Sequence, residues 1–286
     1  MKRAKMLLAL FVATALLATA CGSDSDDGDS ASGASCDPLP LFEEGVLTVA
    51  TGETVFPPWM GAGADDFDDP STGTGYEGAL VQALADELGV DEIVFVRTGF
   101  DEVIAPGAKD WDFNIQQYTI TEARDEVVDF SDGYYQVDQA VIGRSDNAIA
   151  SASSLDDLKS AQLGAAIGST SLDYIETVIE PDSDASVFDD NAAAKAAFDA
   201  NQVDGIVFDL PTAYFITAVE ITDASVIGVL PRIPGAPEEL GMLFEEGSPL
   251  VPCVNDALAA LFADGTMDAI EDEWLNQGGG IPTLSN

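Results

Sequence analysis

Between residues 45 and 275 the chain alternates short apolar runs with segments of helical spacing, and it does so in two series. In the first, 45–51 (GVLTVAT) reads as a strand. Residues 75–89 (GYEGALVQALADELG) put Leu80, Leu84 and Leu88 on one face and end on Gly89, which predicts a helix. Residues 92–97 (EIVFVR) predict a second strand, 103–107 a short helix and 111–116 a third strand. Residues 139–144 are extended. The second series predicts strands at 161–167, 186–189, 205–208 and 224–230, with helices at 171–179, 192–200 and 211–219 between them. A Pro/Gly-rich stretch, PRIPGAPEE at 231–239, leads to a short strand at 240–244, and two amphipathic helices follow at 249–262 and 267–275.

Strands alternating with helices predict α/β units on mostly parallel sheets. Two such units joined by two extended segments, near 138–143 and 234–243, predict two lobes with two hinges and a cleft that closes on its occupant. The boundaries are a first lobe at 36–137, a second at 138–233, and a return to the first over 234–286.

The N-terminus decides the compartment. Lys2, Arg3 and Lys5 precede an almost wholly apolar run at 6–17. That run is too short for a permanent span, which needs about 20 residues, and suits the h-region of a secretory signal. The following Leu17-Ala18-Thr19-Ala20-Cys21-Gly22 resembles the lipobox of bacterial lipoproteins. The resemblance implies a signal peptide at 1–20, cleavage before Cys21 and lipidation of its thiol. The protein would then be secreted and lipid-anchored to the outer face of the membrane, or on the periplasmic side where an outer membrane exists. The alternative is an ordinary signal peptide and a free Cys21. Residues 22–35 (GSDSDDGDSASGAS) hold no large apolar side chain and cannot offset the entropy of ordering, so 21–35 reads as a tether. No later stretch reads as a transmembrane helix. The remaining cysteines, Cys36 and Cys253, invite a disulfide in an exported chain; two buried thiols are the alternative. With no histidine and two distant cysteines there is no metal-ligand spacing, and no cofactor is expected.

Removing 1–20 leaves 7 Lys/Arg against 52 Asp/Glu, a net charge of −45. Such a field repels nucleic acid and anionic headgroups, so no nucleic-acid partner is expected. It also makes each cation informative.

The most specific stretch is 118–135, YTITEARDEVVDFSDGYY. It resembles the family 3 extracellular solute-binding proteins, whose pattern is roughly [ST]-[IV]-T-x-x-R followed by a VDFS-type strand and paired tyrosines. The arrangement covers about 46–276 and implies a periplasmic-binding-protein-like type II fold. The fork of Arg124 can hold a carboxylate through two charge-assisted bonds. By resemblance Arg124 grips the α-carboxylate of an amino acid and Thr119 adds a hydroxyl contact; the alternative is a structural Arg paired with Asp125 or Glu126. Gly168-Ser169-Thr170 follows a strand and opens a helix, where hydroxyls and free amides suit an anion. By resemblance Thr170 and the nearby backbone, with Ser169 beside it, contact the same carboxylate from the second lobe, with a plain N-cap as the alternative. Asp209 lies just past a strand, where an open α/β sheet presents side chains to its crevice. By resemblance it takes the α-ammonium; the alternative is an N-cap for the helix at Pro211. Phe56 and Phe100 follow the first two strands and, by resemblance, sandwich the ligand side chain, with lobe core as the alternative. Glu53 and Trp59 flank Phe56 and are candidates for tuning specificity. Ala79, Gln116 and Gln117 depart from the family pattern and leave side-chain specificity open.

These candidates are complementary grips for a zwitterion and contain no acid–base pair poised for reaction. The expected function is non-enzymatic capture of an amino acid by a monomer that delivers it to an ABC transporter permease. The alternatives are a cyclohexadienyl-dehydratase-like enzyme on the same fold and a ligand-sensing domain. The sequence runs only a short way past Leu275, so no appended catalytic domain is expected.

Overall fold

The computed structural model describes residues 36–62, 68–236, 238–275 and 280–286. The signal peptide, Cys21 and the tether lie outside the described residues.

Twelve strands form three sheets among these residues. The first sheet has the order β2-β1-β3-β12-β4, built from β1 (Val46–Gly52), β2 (Glu92–Thr98), β3 (Phe113–Asn114), β4 (Asp129–Phe130) and β12 (Leu243–Phe244). β1 runs parallel to β2 and β3, and β12 runs antiparallel to β3 and β4. The second sheet has the order β10-β6-β9-β7-β8, from β6 (Gln139–Arg144), β7 (Leu163–Ala166), β8 (Ser186–Phe188), β9 (Gly205–Asp209) and β10 (Ala224–Val229). β7 is parallel to β8 and β9, and β6 is antiparallel to β9 and β10. Both sheets are therefore mixed. Short β5 (Tyr135–Gln136) and β11 (Glu239–Leu240) pair antiparallel where the chain passes between the lobes.

The apolar spacing dictates the helices. α1 (Tyr76–Leu88) buries Leu80, Val81 and Leu84 and stops at Gly89. It packs on α6 (Val251–Asp264) and α7 (Thr266–Trp274) in the core of the first lobe. Gly75 before α1 takes φ +83°, and a Cβ there would come within 2.5 Å of the Trp59 carbonyl. Only glycine lets the Trp59 loop lie against the helix start, where Tyr76 and Glu77 donate backbone N–H bonds to Pro58 and Trp59. The other α-helices among the described residues are α2 (Glu122–Asp125), α3 (Thr170–Tyr174), α4 (Asn191–Asp199) and α5 (Leu210–Phe215). α3 and α5 each run on into a π-helical turn, Ile175–Ile179 and Ile216–Glu220.

Besides the sheets, which are mixed where mostly parallel ones were expected, three expectations change. Residues 103–107 are turns and no helix, because Pro106 and Gly107 offer no continuous helical backbone. The hinge expected near 138–143 falls largely within β6 (Gln139–Arg144), inside the second sheet; the crossing lies before it, at the β5–β11 ladder. The return to the first lobe over 234–286 is incomplete, because the C-terminal tail packs on the second lobe. Leu284 N–H donates to Val229 O at 2.9 Å, Ser285 N–H to Ser153 O at 2.9 Å, and Leu284 is buried in the second lobe's core. A Cβ on Gly228 would sit 2.6 Å from Leu284, so the missing side chain of Gly228 makes room for the tail.

Cys36 and Cys253 form a disulfide with their Cα atoms 5.7 Å apart, which ties the segment before β1 to α6.

Candidate functional site

Arg124 sits in α2, capped by Thr121, whose hydroxyl accepts the Arg124 backbone N–H. Its side chain is 8% exposed. Nη1 donates to Thr119 O at 2.6 Å within the first lobe, and Nη2 donates to Gly168 O at 2.8 Å in the second. Asp125 and Glu126 are exposed and make no ion pair with it. Phe100 and Tyr118 stack at 4.4 Å, with the guanidinium 5.7 and 5.5 Å from their centroids. Burial pulls the guanidinium below its ordinary value, and Tyr118, Asp173, Glu238 and Asp209 hold it up.

Ser169 caps α3: its hydroxyl accepts from Leu172 N–H at 3.1 Å and donates to Ala166 O at 2.7 Å. The N-cap reading therefore accounts for the Ser169 side chain. Thr170 Oγ1 lies 3.4 Å from Thr119 Oγ1 across the cleft and donates to Glu238 Oε2 at 3.0 Å. Asp209 closes β9, and its side chain makes no cap bond to α5. Its Oδ1 instead accepts from Gln139 Nε2 at 2.7 Å. Burial, then the neighbouring Glu238, push the Asp209 carboxyl up to about 7.

Trp59 is 1% exposed and packs edge-on against Tyr76 and Tyr135. Its Nε1–H donates to Thr212 Oγ1 of the second lobe at 2.8 Å. Phe56 is half-buried and Glu53 is exposed at the rim. Tyr118 already covers one face of Phe100, so a sandwich could use only the other face.

All nine ligand-site candidates (Glu53, Phe56, Trp59, Phe100, Thr119, Arg124, Ser169, Thr170 and Asp209) line one cavity of about 370 Å³. Arg124 is its single lining cation among the described residues; five further carboxylates, of Glu53, Asp101, Glu102, Asp189 and Asp190, join Asp209 around it. Arg97 stays outside, paired with Asp68 at 3.0 Å and donating to Gly52 O at 2.7 Å.

Sequence reasoning missed Gln139, Glu238 and Glu77. Gln139 was detectable as a polar residue opening an otherwise apolar strand. Glu77 is fully buried, accepts from the Tyr134 hydroxyl and from Gln117 N–H at 2.8 Å, and is pushed up to about 7 by burial. Among the described residues no group of His, Cys, Asp and Glu side chains is arranged to hold a metal ion.

The family model for bacterial extracellular solute-binding proteins, family 3, matches residues 47–277. The L-cystine-binding protein TcyJ of Escherichia coli (strain K12) is 27% identical over 81% of this chain and 83% of its own. The ABC transporter glutamine-binding protein GlnH of Bacillus subtilis (strain 168) is 25% identical over 97% and 98%. A solved structure of an ancestral arginine-binding protein bound to glutamine superposes with a TM-score of 0.69 at 30% identity, covering 82% of this chain and all of that one.

Proposed function

Because the chain belongs to the bacterial extracellular solute-binding proteins, family 3, and captures an amino acid for an ABC transporter without acting as an enzyme, we propose that Arg124 and Asp209 hold that amino acid from opposite lobes. Arg124 takes the α-carboxylate through the donors it does not spend on Thr119 and Gly168. Asp209 takes the α-ammonium. The observation that carries this reading is one rare cation and one half-buried carboxylate lining the same cavity of amino-acid size. Thr119 and Thr170, whose hydroxyls approach across the cleft, add contacts to the carboxylate. Phe56, the free face of Phe100 and Trp59 line the side-chain space, with Glu53 at its rim.

The five further carboxylates and the commitment of Arg97 to Asp68 work against an anionic side chain. The ligand is therefore a neutral or cationic amino acid. The protein acts as a monomer on the cell's outer face or in the periplasm, and lipidation at Cys21 holds it near the permease. Its lobes are 36–137 with the return after β11, and 138–233 with the C-terminal tail added.

A thermal-shift panel of the standard L-amino acids and L-cystine tests the reading. One or more neutral or cationic members should raise the melting temperature, and aspartate and glutamate should not. A uniformly flat panel overturns it.

A further inference from the structure

Each crossing between the lobes delivers one polar side chain to the back of Asp209. Gln139 opens β6 and stands opposite Asp209 in the strand register. Its Nε2 donates to Asp209 Oδ1 at 2.7 Å and to Glu238 Oε2 at 2.9 Å. Its Oε1 accepts from Ser171 Oγ at 2.5 Å, which fixes the amide with its nitrogen toward the two acids. Glu238 comes from the other crossing, just before β11, and also accepts from Thr170 Oγ1 at 3.0 Å. Two carboxylates from segments far apart in sequence thus share one amide nitrogen in a covered place.

We propose that Glu238 and Gln139 are positioning residues of the ammonium site: they hold a second acid beside Asp209, so that the empty protein keeps one proton on the pair and releases it to solvent when the ligand's ammonium arrives. This rests on the assignment of Asp209 to the ammonium.

Two like charges this close and this desolvated do not both ionise readily. Burial raises both carboxyls, and for Asp209 Glu238 is the next cause. The bridging amide supplies neutral donors and leaves the charge uncompensated. The other groups facing the pair do not cancel it. Arg124 from α2 is the single nearby cation, while Glu77 from α1 and Asp138 before β6 add negative field. Arg232 is paired with Asp138 at 2.5 Å. Tyr134, Tyr135 and Tyr174 are all raised by burial and stay neutral. A ligand ammonium brings the missing positive charge to Asp209, so the ionised pair becomes the favoured form and one proton leaves.

Calorimetry at pH 6 in buffers of differing ionisation enthalpy reads the proton directly. The probe is the L-amino acid of the panel with the largest thermal shift. Wild type should release close to one proton at pH 6 and almost none at pH 8. With Asp209 at about 7, about a tenth of the protein is competent at pH 6, so affinity should rise about tenfold by pH 8. Glu238→Gln should flatten that rise. Gln139→Leu, which strips both acids of their shared donor, should move its onset to higher pH. Buffer-independent heats in wild type overturn the proposal without recourse to any variant. So does an undiminished pH profile in Glu238→Gln, or loss of the release in Glu77→Gln alone. Full affinity in Asp209→Asn would instead remove the ammonium assignment, and an unresponsive panel would remove amino-acid capture itself; either also overturns the proposal.

Discussion

The indole Nε1–H of Trp59, on the first lobe, donates to the hydroxyl of Thr212, near the start of α5 on the second, at 2.8 Å, and both residues are buried. Because its partners stand on different lobes, the bond should break when the lobes part. Thr212→Val keeps the shape and removes the acceptor, which leaves a buried donor unsatisfied at about 1–3 kcal/mol. Affinity should fall about tenfold or more by calorimetry, with the radius from small-angle scattering shifted toward the open form. Wild-type affinity in Thr212→Val would show that the bond does not favour closure.

Arg124 should supply more binding free energy than any other side chain. A bond to a charged group contributes roughly 1.5–3 kcal/mol, and a forked contact to a carboxylate lies at the top of that range. Arg124→Ala should weaken binding by about a hundredfold or more. Arg124→Lys should restore part of it, since it keeps the charge but not the fork. A folded Arg124→Ala that binds within about threefold of wild type would make the residue structural, a bridge to Gly168 and nothing more.

Glu77 and Asp209 make the empty protein pH-sensitive. Both carboxyls are raised to about 7 from 4.5 and 3.8. Their contribution to stability is complete below the unfolded values and is lost as pH rises through about 7. The melting temperature of the unliganded protein should therefore fall between pH 5 and 8. Glu77→Gln should reduce that fall, by on the order of 2–3 kcal/mol of stability at most. An identical fall in the variant would place the sensitivity elsewhere.

The C-terminal tail should be part of the second lobe's stability. Leu284 is 2% exposed and fills the space over Gly228. Leu284→Ala should cost about 2–4 kcal/mol in denaturant unfolding. Amides of β10 should lose hydrogen-exchange protection before those of β1. Equal loss in both sheets, or none, would count against a tail docked on one lobe.

Reduction should destabilise the protein through the Cys36–Cys253 bridge. It closes a loop with a sequence separation of 217, and bonds closing long loops contribute about 2–4 kcal/mol. Non-reducing peptide mapping should recover the linked peptides, and Cys36→Ser should melt lower. Two freely alkylatable thiols in native protein would remove the bridge.

The chain's local pattern was enough to read the two α/β series, the stop at Gly89 and the strand ends that carry Phe56, Phe100 and Asp209. These depend on periodicity and on neighbours a few residues away, which a linear sequence records. Arg124 stood out because cations are scarce and its motif is specific. Other features depended on which distant groups share a volume. Arg97 is three residues from Phe100, yet Asp68 holds it outside the cavity. The segment near 138–143 reads as an extended hinge, yet from Gln139 on its backbone groups pair on both sides within a sheet. The tail beyond Leu275 carries too few apolar residues for a pattern, and its docking depends on the vacancy over Gly228. Gln139, Asp209 and Glu238 meet across separations of 70 and 99 residues. The raised proton affinity of the two acids comes from desolvation and mutual repulsion, and both come into being only when the fold brings the two crossings together.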